Sequence, residues 1–328
     1  PGSPTGEKPR QMTAADTLCM RIPVEQAGKR LDQALALLRP EITRSQWQQW
    51  IESGRVLLNG APSRKRDRVK GGETVHVEIP AVPPSGHVAE AIPLAVMYED
   101  ESILVIDKPP GLVVHPGAGN LEGTLLNALL HHAPGLDALP RAGIVHRLDK
   151  DTSGLLVVAK SEVARQNLIG QLQDRSMSRE YQAVVNGVLI TGKKVDAPIG
   201  RHRTDRTRMA VTERGKPAVS HVRVIKKFRT HTLVQVKLES GRTHQIRVHL
   251  AHIKYPVFGD PVYGGRAKLP KGASARLIEV LQGFKRQALH AARLALIHPV
   301  TGERMQWEAP LPVDMKRLIA VLEKDAKG

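Results

Sequence analysis

The densest cluster of reactive side chains is HRLDKDTSGLLVVAK (146–160), where Asp149 stands between Arg147 and Lys150 just before an apolar run. Cations this close favour the ionised carboxylate. In a cleft, such a carboxylate is either half of a structural salt bridge or a nucleophile. Asp149 and Asp151 could instead share a hard divalent cation, as in a nuclease. They could also act as an acid and base pair on a glycosidic bond. Residue types alone leave these readings open.

Other patterns carry less. Gly187 to Lys193 has P-loop spacing, but Lys194 stands where a magnesium-binding hydroxyl is required, and no helix pattern follows. His244, His249 and His252 have no nearby carboxylate or cysteine to complete a metal site, so packing or RNA contact is the better reading. With one cysteine, Cys19, the chain has no intramolecular disulfide framework.

The elements that must position these residues fall into two groups. Residues 21–80 read as helix, helix, strand, strand. Leu31, Ala34, Leu35 and Leu38 share a helical face that Pro40 ends, and Thr43 with Gln46 marks the start of a second helix carrying Trp47, Trp50 and Ile51. RVLLNG and TVHVEI then read as short strands. Residues 1–20 read as a flexible leader and 81–90, PAVPPSGHVA, as a linker. From 91 to 328 the pattern is α+β with a mainly antiparallel, mixed sheet. Strands are expected at 103–107, 154–160, 181–189, 231–240 and 289–299, with helices at 124–133 and 315–324.

Charge names the kind of partner. The chain has 328 residues and a formal net charge of +17, which points to a polyanion. Aromatics make up only 3% of it, too few for a long base-stacking platform. Arg201, Arg203, Arg206 and Arg208 open a basic stretch, 201–229, suited to phosphates, and Arg30, Arg44 and Arg55 add cations to the N-terminal unit. No apolar run approaches a membrane span. The absence of a signal-peptide pattern and of a disulfide framework predicts a cytoplasmic protein.

Several separated segments resemble the RluA family of RNA pseudouridine synthases. These are YEDESILVIDKPPGLVVHPGAGN (98–120), HRLD (146–149), REYQAV (179–184) and LESGRTHQIRVHLAH with PVFGDPVYG (238–264). Residues 28–80 resemble an S4 RNA-binding domain. Details such as RAGIVHRLDKDTSG and RQALHA resemble the branch acting on large-subunit rRNA. The resemblance implies isomerisation of uridine in 23S rRNA, in the loop of the helix that bridges the ribosomal subunits, with free rRNA or an assembling large subunit as partner. It implies a monomer that needs no cofactor and no metal, because the reaction gains and loses no atoms. By resemblance Asp149 is the nucleophile, attacking C1′ or aiding loss of the C2′ proton, Arg247 holds it ionised, and Tyr181 faces the base and moves a proton. Arg147 fills the gap left by the flipped uridine and Leu250 packs on the base; flipping is cheapest in a loop.

Overall fold

The computed structural model describes residues 16–39, 42, 44–79, 87–117, 120–205, 207–265 and 269–327. The chain divides after Gly86 into two compact units. Pro40, Thr43 and residues 81–86 of the expected linker lie outside the described residues, as does Arg206.

The N-terminal unit contains β1 (Asp16–Arg21), α1 (Leu31–Leu38), α2 (Arg44–Glu52), β2 (Val56–Leu58), β3 (Ala61–Pro62) and β4 (Thr74–Ile79). Its sheet order is β1-β4-β2-β3. The expectation of a leader over 1–20 is corrected for residues 16–20, and residues 1–15 lie outside the described residues. Asp16–Arg21 pairs antiparallel with β4, because the otherwise open edge of β4 offers backbone partners to this segment. Trp47 is fully buried with Leu31, Leu35, Val75 and Val77, which makes it a core residue.

The second unit begins with β5 (Val96–Glu99), β6 (Ile103–Lys108), α3 (Leu125–His132), β7 (Ser153–Ala159), α4 (Glu162–Gln173) and β8 (Ser178–Asn186). It continues with β9 (Lys193–Asp196), β10 (Ile199–Arg201), β11 (Met209–Val211), β12 (Val219–Lys227) and β13 (His231–Leu238). The last elements are α5 (Gln245–His252), α6 (Ala275–Gly283), β14 (Leu289–Ile297), β15 (Arg304–Glu308) and α7 (Val313–Asp325). The main sheet runs β5-β6-β7-β14-β8-β13-β12-β9, with β15 beside β14. Only the β14–β7 pairing is parallel. This is the α+β, mainly antiparallel arrangement that the sequence predicts.

Alternation explains the layers. Leu104, Ile106, Leu156 and Val158 pack on one face with α3, α6 and α7, while Ile103, Val105, Leu155 and Val157 pack on the other against Ala164 and Leu168 of α4. Every residue of β7 is therefore buried. At Gly154, φ is +112°, and a Cβ would lie 2.3 Å from the Ala291 carbonyl oxygen. Only glycine lets β7 approach β14 this closely. That approach fixes the loop carrying Asp149 beside β14, which also pairs with β8 and so with the strand that carries Tyr181.

Candidate active site

Asp149 lies in the turn that enters β7. Its carboxylate Oδ2 accepts a hydrogen bond from Arg247 Nη1 at 3.0 Å, although the two are 98 positions apart. Arg247 projects from α5 and is itself held from behind. Its Nε and Nη2 donate to the two oxygens of Asp260 at 2.7 and 2.9 Å. Asp260 also accepts the backbone N–H groups of Val262 and Tyr263. The Asp260 side chain is fully buried, whereas that of Asp149 keeps 17% exposure. Burial works to raise the Asp260 carboxyl, but Arg247 and those two N–H groups hold it below its usual value. The guanidinium is thus anchored on one edge and offers its other edge to Asp149.

Two aromatic groups complete this wall. The Arg247 guanidinium lies 5.0 Å from the Tyr263 ring centroid, and Arg208 lies 5.3 Å from the same ring. Met209 N–H donates to the Tyr263 hydroxyl, which is 2.9 Å from His244 Nδ1. The other ring nitrogen, His244 Nε2, lies 3.9 Å from Asp149 Oδ1. Burial, opposed by Asp149, lowers the His244 imidazole below its ordinary value.

Lys108 braces the Asp149 loop from below. Its fully buried Nζ donates to the carbonyls of Pro109, Leu112 and Lys150 at 2.8–2.9 Å. Burial pulls this ammonium down to about 8. Arg286 donates to the Asp151 carbonyl and pairs with Asp314, so Asp151 is tied through its backbone. Tyr181 is 6% exposed, and burial raises its phenol further than Arg179 lowers it.

The structure thus joins Asp149 and Arg247 directly and places Tyr181 within the influence of the Asp149 charge. Arg147 is exposed two residues before Asp149. Leu250 has no exposed surface and belongs to the buried core cluster of the second unit. Arg30 and Arg44 both pair with the buried Asp32, and Arg55 is half-buried. Arg203 is exposed, but Arg208 donates to Val262 and stacks on Tyr263. His249 is buried between Ser220 and the Ala197 carbonyl. Among the described residues no group of histidines, cysteines and carboxylates is arranged to hold a metal ion.

Sequence reasoning missed Lys108, His244, Asp260 and Tyr263 as site residues. Signals were present: a lysine ending an apolar strand before PPG, and an isolated acid in the apolar PVFGDPVYG.

Residues 102–252 match the family described as RNA pseudouridylate synthase, and residues 29–75 match the S4 domain. A ribosomal large subunit pseudouridine synthase D from Xanthomonas campestris is 53% identical over 305 residues, covering 93% of this chain and 92% of the relative. The protein of that name from Pseudomonas aeruginosa is 55% identical over 307 residues, covering 94% and 96%. Among solved structures, human RNA pseudouridylate synthase domain containing 4 aligns with a TM-score of 0.54 at 26% identity, covering 70% of this chain and 93% of that one. Asp149, Tyr181 and Arg247 all fall inside the matched family region. An S4 domain followed by this sheet and this buried cluster, with identity above one half along nearly the whole length, makes the chain a member of the RNA pseudouridylate synthase family, an enzyme that isomerises uridine to pseudouridine.

Proposed function

We propose that this pseudouridine synthase acts on large-subunit rRNA, at uridines in the loop of the 23S helix that bridges the ribosomal subunits. The relatives' name, ribosomal large subunit pseudouridine synthase D, supports that target. Asp149 is the nucleophile. It attacks C1′ of a flipped uridine as the C1′–N1 bond breaks, the detached base turns, and C5 bonds to C1′ as the Asp149–C1′ ester bond breaks and the carboxylate is released. Tyr181 lines the base site, and Arg147 occupies the gap that the uridine leaves. The observation carrying this reading is the Asp149–Arg247–Asp260 chain. It leaves one partly exposed carboxylate oriented by a guanidinium that is itself immobilised. Uridine and pseudouridine have the same composition, so the isomerisation consumes no metal or cofactor.

The test is Asp149→Asn. The amide preserves shape but cannot serve as nucleophile, so pseudouridine formation falls by ~10⁴-fold or more while RNA binding persists. Retention of a tenth of normal turnover refutes the role. Mapping pseudouridines in rRNA from cells with and without the protein checks the target. Loss at another site, or in tRNA, replaces the target and leaves the chemistry in place.

A further inference from the structure

Two residues before Tyr181, Arg179 projects from the same face of β8, because side chains two apart on a strand point the same way. It is one of three buried arginines among the described residues. The other two have carboxylates: Arg247 has Asp149 and Asp260, and Arg286 has Asp314. Arg179 is only 7% exposed yet has no ion pair, and its Nε is sealed from solvent without a hydrogen-bond partner. Its Nη1 lies over Gly241, where a Cβ would approach to 2.7 Å. Gly241 belongs to the loop between β13 and α5, which leads to His244 and Arg247.

The groups facing this cation include no carboxylate among the described residues. Burial lowers its own proton affinity, and the Tyr181 phenol opposes that. His146 is pushed down to about 3, first by burial and then by Arg179. An unpaired buried cation carries a desolvation penalty that no carboxylate among the described residues offsets. A local conflict of this kind is expected at a functional site whose missing partner arrives with the substrate.

In the reaction, the C1′–N1 electron pair leaves with the base. The uracil anion shares that charge over N1, O2 and O4 until C5 bonds to C1′, the C5 proton departs and N1 is protonated. RNA phosphates stay on the backbone, and the flipped base is the part of the substrate that reaches a nearly buried group beside Tyr181. We propose that Arg179 receives the negative charge of the detached uracil, donating from its guanidinium to the base's carbonyl oxygens and exchanging no proton. This rests on the reading of Asp149 and Tyr181 as the nucleotide site.

The test compares full-length wild type with Arg179→Met and Arg179→Lys, on a target RNA carrying uridine or 5-fluorouridine. Removing an unpaired buried charge leaves the thermal midpoint of Arg179→Met unchanged or raises it. RNA affinity is retained, and the single-turnover rate falls by about 10², the loss typical of one electrostatic donor. Arg179→Lys keeps the charge without the fork and loses less. Fluorine makes the base a more acidic leaving group, so the loss is smaller when scored by disappearance of 5-fluorouridine. Gly241→Ala, which displaces Nη1, slows the wild type but adds nothing in the Arg179→Met background. An unchanged rate overturns the proposal. So does a lowered midpoint with equal loss on both substrates, which marks a structural strut. A loss confined to affinity, with the salt slope flattened by roughly 0.7, overturns it in favour of a phosphate contact. Asp149→Asn run in parallel separates the two failures. If it stays active the nucleotide site is misread, and if it is dead while Arg179→Met is fully active only this inference falls.

Discussion

At the residue scale, the site depends on how Arg247 divides its donors. One edge of the guanidinium serves the carboxylate proposed to react, and the other is bound by Asp260, so the arginine cannot swing away from its post. Asp260→Asn breaks a buried ion pair and leaves a cation poorly compensated. Such losses cost about 3–5 kcal/mol. The variant is expected to melt well below wild type, and in folded protein to turn over more slowly with little change in RNA affinity, because Asp260 reaches RNA only through Arg247. Melting curves with single-turnover rates check this. A normal midpoint with normal rate removes Asp260 from the site's support.

At the element scale, the basic stretch 201–229 separates into parts with different tasks. The β10–β11 hairpin carries exposed Arg203, while Arg208 in the same hairpin turns inward onto Tyr263. Further along, Lys226 and Arg229 pair with Glu323 and Asp325 of α7. Arg203→Gln should therefore flatten the slope of log affinity against log salt by roughly 0.7 and leave the saturated rate alone, since each single-strand phosphate contact releases counterion. Arg208→Gln should leave the slope and reduce the rate, because it loosens Tyr263 and with it the wall holding Arg247. Binding across a salt series together with single-turnover rates separates the two, and equal slope changes would return Arg208 to the RNA-facing set.

At the scale of the whole molecule, the division after Gly86 separates the S4 domain from all residues proposed for chemistry. Removing residues 1–86 should reduce RNA affinity substantially and the rate at saturating RNA only modestly. A folded remainder inactive at every RNA concentration would show that the S4 domain takes part in the chemistry. The second unit also stores acid sensitivity. Burial, foremost in each case, lowers His115 and His231 to about 4 and His146 to about 3, from an ordinary 6.5. Each is a base that the unfolded chain protonates first. The stability they contribute is complete above about pH 6.5 and is lost as pH falls from there toward 4 and, for His146, toward 3. Urea midpoints measured between pH 8 and pH 4.5 should fall on the acid side of 6.5. A flat profile down to pH 5 would mean that these imidazoles take protons without unfolding.

The amino-acid sequence by itself determined the α+β class, the strands expected at 103–107 and 289–299, the helix expected at 124–133 and the chemical type of the partner, because periodicity and net charge are local or additive properties. Its resemblance to the family's motifs also singled out Asp149, Tyr181 and Arg247. It could not distinguish free cations from paired ones. Arg30, Arg44 and Arg208 look alike in a string of letters, but Asp32 takes the first two and Tyr263 with Val262 takes the third. Nor could it show that Leu250 is sealed in the core or that Lys108 and Asp260 brace the site. Pairing and burial depend on what lies within a few ångströms after folding. Asp149, in the loop entering β7, meets Arg247 of α5 across 98 positions of sequence, a relation that exists only in the folded chain.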